Sequence, residues 1–124
     1  MAEAVAWHEV RTDNGGETQK FYTELFGWGT EGMSMGDMGV YTMFTTDGKP
    51  FAGIIDLKAM GMEGTAPGWT VYFNCDDVDA GVAKVIAMGG KVFVPAMEVP
   101  TVGRMACVGD PQGTSFWLFK GEAK

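Results

Sequence analysis

The side chains that most often carry chemistry in proteins are few in this sequence. It has one histidine, His8, and two cysteines, Cys75 and Cys107, which lack the CxxC spacing of a zinc ribbon or a redox dithiol. Its two serines, Ser34 and Ser115, lie outside a GxSxG nucleophile motif. The sequence therefore predicts no cysteine or serine nucleophile site and no ribbon-type zinc site.

The acid best placed for chemistry is Glu9, in the extended run that begins at Trp7. Alternation along a strand puts Trp7, Glu9 and Arg11 on one face and His8 on the other. We expect His8 to be a structural histidine, hydrogen-bonded beneath a helix. If Glu9 faces an apolar interior, burial favours its protonated form and makes it a candidate general base. Arg11 opposes that effect, and the alternative is a salt-bridged strand residue.

The elements that must position these residues come in two similar halves. Residues 7–28 (WHEVRTDNGGETQKFYTELFGW) and 69–90 (WTVYFNCDDVDAGVAKVIAMGG) match in pattern at a displacement of 62 residues, half of the 124-residue chain. Each segment opens with a β-type run and continues into a helix. The repeat predicts two modules of the same design.

Both predicted helices have start and stop signals. Asn14 and Asp76 are suited to the N-cap, and Glu17 completes a capping box with Asn14. Gly27 and Gly89 are suited to end the helices in a left-handed conformation. Each helix carries an apolar stripe that we expect to pack in the core. The stripe residues are Phe21, Tyr22, Leu25 and Phe26 in the first helix, and Val78, Val82, Val85 and Ile86 in the second.

Three strand-like runs follow each helix. They are residues 30–35, 39–46 and 51–58 in the first half, and 91–94, 103–108 and 114–120 in the second. Asp47-Gly48 is a strong hairpin signal, and residues 110–113 (DPQG) suit a type I turn. The predicted fold class is therefore α+β: two βαβββ modules forming a cupped, mostly antiparallel mixed sheet, with a helix on the outer face of each module. We expect a single domain over residues 1–124, with modules 4–58 and 68–120 and a linker at 59–67.

This pattern resembles a known superfamily. The duplicated βαβββ unit, with FYTELFGW in one half and GGKV, VGRMA and DPQG in the other, is similar to the vicinal oxygen chelate superfamily. That superfamily includes glyoxalase I, bleomycin- and fosfomycin-resistance proteins, and extradiol dioxygenases. The resemblance implies that paired modules form a cleft, which in the enzymes holds a divalent metal. Fold likeness alone does not give the reaction.

The metal positions of these enzymes can be located by counting from the shared motifs. In place of the expected histidines and carboxylates, this sequence has Trp7, Ala52 or Gly53, Trp69 or Thr70, and Trp117, with Asp56 three residues beyond Gly53. A divalent metal needs three or four converging oxygen, nitrogen or thiolate donors. We therefore expect no bound metal and no cofactor.

Tryptophan at two of the metal positions changes the expected chemistry of the cleft. Trp7 and Trp117 belong to opposite modules, and aromatic faces bind planar ligands by stacking and cations through the ring quadrupole. The alternative is that these tryptophans fill the cleft as core. Arg104 is either a ligand anchor or the ion-pair partner of a nearby carboxylate. The predicted ligand-binding residues are Trp7, Glu9, Thr70, Tyr72, Arg104 and Trp117, with Glu9 also the catalytic candidate.

Charge and composition limit the partners. The net charge is −7 with only nine Lys and Arg residues, which argues against a nucleic acid, and there is no run of 18 apolar residues for a membrane span. The start MAEAVAWHEV has no secretory pattern, so we expect a cytoplasmic protein with reduced thiols. The resemblance further implies a homodimer.

The leading hypothesis is a metal-independent protein of the bleomycin-resistance type that binds a small aromatic or cationic molecule in its cleft. The alternative is a lyase or isomerase of the glyoxalase type, acting on a small carbonyl or epoxide substrate. A third interpretation is a structural module with a filled cleft.

Overall fold

The computed structural model describes residues 3–58 and 67–122, without the side chain of Met38. Within this part the chain forms eight strands, two α-helices and one short 3₁₀ turn, arranged in two compact units. The first unit is Trp7–Trp69, and the second contains residues 70–122 together with residues 3–6. The predicted α+β class is confirmed. The predicted linker lies outside the described residues except for Pro67, and the predicted single-domain organisation stays a prediction.

The first unit has the order β1, α1, β2, β3, β4. Its sheet order is β2-β3-β4-β1, in which β1 and β4 are parallel and the other pairs are antiparallel. The bounds are β1 Val5–Thr12, α1 Gly15–Phe26, β2 Gly29–Ser34, β3 Val40–Thr46 and β4 Lys49–Asp56, with the 3₁₀ turn at Gly36–Met38.

The second unit repeats this design. Its sheet order is β5-β8-β7-β6, with β5 parallel to β8 and the other pairs antiparallel. The bounds are β5 Gly68–Asn74, α2 Val78–Ala87, β6 Lys91–Val99, β7 Gly103–Gly109 and β8 Ser115–Gly121. Each unit thus has the predicted βαβββ order, although β6 runs five residues beyond its predicted end at 94.

The helix ends largely follow their sequence signals. The side chain of Asn14 accepts a hydrogen bond from the backbone N–H of Glu17 at 3.1 Å, and Gly27 ends α1 with φ 74°. The N-cap of α2 is Asp77, whose side chain accepts from the N–H of Ala80 at 3.0 Å, so the predicted cap at Asp76 is wrong by one residue. In a pair of adjacent aspartates, the chain direction before the helix decides which carboxylate reaches the third N–H.

Both predicted turns are present. Asp47 and Gly48 have φ of 52° and 75°, which matches the two positive values of a type I′ hairpin. The N–H of Gly113 donates to the carbonyl of Asp110 at 2.8 Å, and the Asp110 side chain accepts from the N–H groups of Gln112 and Thr114. These turns fix the register of β3 with β4 and of β7 with β8.

Each unit buries one face of its sheet with its helix. The first cluster consists of Val10, Phe44, Ala52 and Ile54, with Tyr22, Trp28 and Phe51 packed against it. The second consists of Val78, Ala106, Val108 and Leu118, with Val82 and Val85 among the side chains packed against it. The core side of each sheet is therefore the side that carries the helix.

The expectation that the apolar stripe of α1 is buried is wrong for three of its four residues. Phe21, Leu25 and Phe26 are each more than half exposed, and only Tyr22 packs against the first core cluster. In α2 the valines pack as predicted, but Ile86 is exposed. Periodicity predicts which residues share a side of a helix, whereas the width of the sheet beneath it decides how many of them are covered.

The N-terminal residues belong to the second unit. The backbone N–H of Asn74 donates to the carbonyl of Ala4 at 2.9 Å, and the Asn74 side-chain amide donates to the carbonyl of Glu3 at 2.6 Å. Residues 3–6 therefore lie along β5, and the chain enters the first unit only at Trp7. None of the helices described is long and apolar enough to cross a bilayer.

Candidate functional site

The first candidate site lies on β1 and β3 of the first unit. The indole N–H of Trp7 donates to the hydroxyl of Tyr41 at 2.9 Å, and that hydroxyl donates to a carboxylate oxygen of Glu9 at 2.6 Å. Glu9 is only 5% exposed. Because the adjacent Val10 packs in the core cluster beneath α1, these three side chains lie on the sheet face that points away from the helix.

A glycine in β4 makes room for this network. Gly53 pairs with Glu9 in β1 and with Met43 in β3. A β-carbon at position 53 would overlap the phenol of Tyr41. Tyr41 therefore lies across the backbone of β4, and the absence of a side chain at Gly53 lets its hydroxyl reach Glu9.

The electrostatics of the network keep the Tyr41 hydroxyl protonated. Burial raises the pKa of Tyr41 far above its usual value, and the negative charge of Glu9 and the hydrogen bond to it add to that rise. The hydrogen bond from Trp7 acts in the opposite direction. Tyr41 thus stays a hydrogen-bond donor to Glu9 over the physiological pH range.

Two other residues of β1, His8 and Arg11, also carry side chains that could take part in chemistry. Arg11 is half-buried on the same side of the strand as Glu9. His8 is exposed, so the expectation of a structural histidine buried beneath the helix is wrong. The predicted grouping of Trp7 with Glu9 is observed through their shared partner, Tyr41.

The second candidate site lies on β5 and β8 of the second unit. Tyr72 and Trp117 are opposite each other in the parallel pair, and their rings stack with centroids 5.1 Å apart at 11°. Both rings are buried, as is Thr70 on the same side of β5 as Tyr72. Leu118 packs against α2, so Trp117 points to the face away from the helix.

The structure also decides between Trp69 and Thr70. The indole N–H of Trp69 donates to the Tyr22 hydroxyl of α1 at 3.0 Å. Because neighbouring residues alternate along a strand, Thr70 points to the other side, which is the side of Tyr72. Of the two, Thr70 is therefore the residue on the same face of β5 as Tyr72.

Arg104 lies apart from the other predicted ligand-binding residues. Its guanidinium makes a bidentate pair with Asp79 of α2, with both N–O distances 2.8 Å, and approaches Glu98 at 3.7 Å. The hydrogen bonds from Arg104 hold the pKa of Asp79 below its usual value. Arg104 thus takes the ion-pair role that the sequence left open, on the helix side of β7.

The residues at the four metal positions do not fit a divalent cation. Counted from the sequence, these positions hold Trp7, Ala52 or Gly53, Trp69 or Thr70, and Trp117. Asp56 is directed to α1, where it accepts from the N–H of Gly15 at 2.8 Å. Across the described ranges 3–58 and 67–122, no three His, Cys, Asp or Glu side chains are grouped so that they could hold a metal ion. An indole N–H is a donor only, so tryptophan cannot serve as a ligand.

The sequence did not identify Tyr41 as a site residue. Two signals in the sequence could have indicated it. Gly53 lies inside a strand, which is typical of a position that another group approaches closely. Alternation puts Tyr41 on the same side of β3 as Met43, the residue that pairs with Gly53. Trp7 and Trp117 are found in different units. The cleft that they were expected to share stays a prediction.

Comparisons with known proteins agree with this fold. The family model described as "Glyoxalase/Bleomycin resistance protein/Dioxygenase superfamily" matches residues 4–118. The chain is 39% identical over 115 residues to "Putative glyoxylase CFP32" of Mycobacterium bovis, covering 92% of this chain and 44% of that protein. It is 35% identical over 128 residues to "Anthracycline biosynthesis protein DnrV" of Streptomyces peucetius, covering 94% and 46%. The chain thus spans less than half the length of these curated relatives.

A solved structure shows the same fold at lower identity. The methylmalonyl-CoA epimerase of Streptomyces coelicolor, in complex with 2-nitronate-propionyl-CoA, superimposes with a TM-score of 0.62. The alignment covers 99% of this chain and 100% of the epimerase, at 17% identity. At that identity the likeness concerns the fold alone.

Proposed function

The chain belongs to the Glyoxalase/Bleomycin resistance protein/Dioxygenase superfamily, and we propose that it binds a small aromatic or cationic organic molecule without the help of a metal ion. The observation that carries this proposal is the Trp7–Tyr41–Glu9 network. A buried carboxylate bordered by two aromatic side chains attracts a cation by charge and by the ring quadrupoles. The net charge of −7 favours the same class of ligand.

The second unit supports the aromatic part of the proposal. Tyr72 and Trp117 present a stacked pair on the face away from α2. In the described part of the chain, the buried hydroxyl of Thr70 has no hydrogen-bond partner. A buried polar atom without a partner costs about 1–3 kcal/mol, which a ligand hydroxyl or carbonyl group would recover. The names of the relatives, one assigned to anthracycline biosynthesis, are in keeping with a small organic ligand.

Titration with 9-aminoacridine, a flat cation, and with uncharged acridine as its matched control tests the proposal. Tryptophan fluorescence should report binding of the cation. Trp7→Ala or Trp117→Ala should weaken that binding by about 1–3 kcal/mol, or roughly 5- to 150-fold. Glu9→Gln should weaken binding of 9-aminoacridine more than binding of acridine, because it removes only the charge.

Arg104→Ala serves as the control variant, since Arg104 lies on the helix side of β7, and it should bind like the parent. Thermal unfolding must be recorded in parallel, because truncating a buried tryptophan costs about 3–5 kcal/mol. Folded Trp7→Ala and Trp117→Ala variants with parental affinity would show that the site lies elsewhere. Failure of the parent to bind either probe would favour the third interpretation, a filled aromatic core.

A second candidate function follows from the short bond between Tyr41 and Glu9. A carboxylate 2.6 Å from a phenol that keeps its proton can act as general base, as a lyase or isomerase of the glyoxalase type requires. Glu9 would take a proton from the hydroxyl-bearing carbon beside a carbonyl group, which gives an enediolate, and return it to the former carbonyl carbon, while the hydroxyl proton moves to the former carbonyl oxygen. Proton exchange of dihydroxyacetone in D₂O, followed by NMR, should then proceed with the parent and stop in Glu9→Gln. No exchange with the parent would remove this alternative for that substrate.

The proposal extends to assembly and location. The superfamily commonly forms dimers, and we propose a homodimer of this chain that works in the cytoplasm. Light scattering of the purified protein, and fractionation of cells that express it, test these two points.

A further inference from the structure

In the second unit, two hydroxyl side chains lie where β5 and β8 begin. Tyr72 and Trp117 are opposite each other in this parallel pair. Thr70 and Ser115, each two residues earlier, therefore lie on the same side of the sheet as these rings, away from α2. Thr70 is buried, whereas Ser115 is exposed. The two hydroxyl groups thus lie at a border between the interior of the unit and solvent.

A half-exposed aromatic ring borders Ser115. Gly109 of β7 pairs with Ser115, and a β-carbon at position 109 would overlap the ring of Phe93 from β6. Because the adjacent Val108 packs in the core cluster beneath α2, Gly109 and the ring against it lie on the side away from the helix. Phe93 is 50% exposed, so its ring can still be contacted by a flat molecule.

The Thr70 hydroxyl is the group in this region that points most directly to a ligand. Thr70 is only 7% exposed, and within the described ranges its hydroxyl oxygen has no hydrogen-bond partner. Buried side-chain polar atoms are nearly always paired, because an unpaired one costs free energy. A ligand that enters from the exposed side at Ser115 would supply the missing hydrogen bond.

The polar groups on this face indicate which ligand group would pair with Thr70. The hydroxyls of Thr70 and Ser115 can both donate, and the indole N–H of Trp117 can only donate. A carbonyl oxygen matches these donors because it only accepts, with two lone pairs. The distance from Gly109 to Thr70 is two strand spacings, about 10 Å, which suits one aromatic ring with its carbonyl oxygen.

The charges favour an uncharged ligand at this position. Lys91 pairs with Gly109 on the far side of β7, which places it three strand spacings, about 14 Å, from Thr70. An exposed ammonium group at that distance is largely screened from a group bound at Thr70. The net charge of −7 disfavours an anion.

We infer that Thr70, Phe93 and Ser115, which we name the hydroxyl site, bind an uncharged aromatic carbonyl compound. The ring of the ligand lies against Phe93, and its carbonyl oxygen accepts from Thr70. The inference rests on the aromatic binding proposed above, and it adds the hydrogen-bonding group of the ligand and two further contact residues, Phe93 and Ser115. Glu9 takes no part in it, so the two claims are tested with different probes.

NMR titration of the ¹⁵N-labelled full chain with three single-ring probes tests the hydroxyl site. Acetophenone carries a neutral carbonyl group, ethylbenzene lacks the acceptor, and benzoate carries a charge. Acetophenone should bind at least about threefold more tightly than either of the others, the effect of one neutral hydrogen bond. The backbone signals of Gly109 and Ser115 should shift on binding. Equal binding of acetophenone and ethylbenzene, or tighter binding of benzoate, would overturn the inference.

Variants assign the preference to the hydroxyl. Thr70→Val should abolish the preference for acetophenone over ethylbenzene, whereas Thr70→Ser should keep it. Phe93→Ala should weaken the binding of both probes, because both have the ring. The matched control is Thr18→Val, since the Thr18 hydroxyl donates to that of Thr12 at 2.7 Å in the first unit. The control should bind like the parent. A preference that persists in Thr70→Val would overturn the inference.

Thermal unfolding distinguishes a ligand-binding hydroxyl from a structural one. Thr70→Val should not lower the melting temperature, because it removes a buried hydroxyl that has no partner among the described residues. Thr18→Val should lower the melting temperature, because it breaks an existing hydrogen bond. A lower melting temperature for Thr70→Val would show that its hydroxyl is bonded within the protein, against the inference.

The outcomes separate this inference from the proposed cation binding. If 9-aminoacridine binds in a Glu9-dependent way and acetophenone shows no preference, the hydroxyl site is overturned and the cation binding stands. If acetophenone shows the Thr70-dependent preference and 9-aminoacridine does not bind, the hydroxyl site stands and the cation binding is overturned.

Discussion

Tyr41 takes its position from a β-carbon that is absent in the neighbouring strand. Its phenol lies across Gly53 and connects Trp7 to Glu9 through two hydrogen bonds. A substitution at Gly53 therefore disturbs the network while Trp7, Glu9 and Tyr41 themselves are unchanged in sequence. This makes position 53 the most sensitive test of the network.

Gly53→Ala should lower the free energy of unfolding by about 1–3 kcal/mol, because the added methyl group displaces Tyr41 and breaks its bond to Glu9. Urea unfolding measures the change. The matched control is Gly16→Ala in the first turn of α1, where a β-carbon meets nothing closer than 3.8 Å and where alanine favours the helix. Equal stability of parent and Gly53→Ala would show that Tyr41 does not occupy this position in solution.

The pKa of Tyr41 predicts an alkaline loss of stability. Because burial and Glu9 raise the pKa of Tyr41 above its usual value of 10.0, the unfolded chain ionises at this residue before the folded chain does. The contribution of Tyr41 is therefore fully present below pH 10 and decreases as the pH rises above it, by about 1.4 kcal/mol per pH unit.

The comparison of the parent with Tyr41→Phe isolates this effect, because all other titrating groups are shared. The difference in unfolding free energy between the two proteins should be constant up to about pH 10 and should shrink above it. Urea titrations at several alkaline pH values measure it. A difference that stays constant through the alkaline range would rule out the raised pKa.

Among the elements, the start of α2 distinguishes two adjacent aspartates. Asp77→Ala should destabilise the protein by about 1 kcal/mol, because the Asp77 side chain accepts from the N–H of Ala80. Asp76→Ala should have a smaller effect, since its observed contact is made by the backbone carbonyl, which accepts from the Lys120 ammonium group at 2.9 Å. Thermal unfolding of the two variants measures both losses of stability. A larger loss of stability for Asp76→Ala would favour Asp76 as the N-cap, as predicted from the sequence.

Local signals explain how much of the fold was predictable. The caps, the Asp47-Gly48 hairpin and the DPQG turn act over a few residues, so the sequence alone indicates the βαβββ order of both units. How many residues of a helix's apolar stripe are covered depends instead on the width of the sheet beneath that helix. For that reason Phe21 and Leu25 were expected in the core and are found exposed.

The candidate site was predictable in part for the same reason. Strand alternation put Trp7 with Glu9, since that rule needs only one strand. The partner strand could not be assigned from alternation, so Tyr41 was missed although its hydroxyl joins Trp7 to Glu9. The sequence left two roles open for Arg104, because the packing of α2 decides whether Asp79 is within its reach.

For the molecule as a whole, the side chains at the expected metal-ligand positions predict the outcome of metal analysis. The purified, untagged protein should contain much less than one equivalent of Zn²⁺, Ni²⁺, Mn²⁺ or Fe²⁺, because the positions that the resemblance assigns to metal ligands hold Trp7, Ala52 or Gly53, Trp69 or Thr70, and Trp117. Elemental analysis by mass spectrometry measures it. About one equivalent of any of these metals would contradict the proposed metal-independent binding and require a different set of ligands.

The pairing of residues 3–6 with Asn74 has a consequence for how the chain can be rearranged. It makes the second unit discontinuous along the polypeptide, since its first strand segment precedes the whole first unit. A fragment that starts at residue 70 would therefore lack a piece of its own unit. A circular permutant that begins at Trp7 and carries residues 3–6 on a linker after residue 122 would make both units continuous. Such a permutant is the natural starting point for separating the two halves genetically.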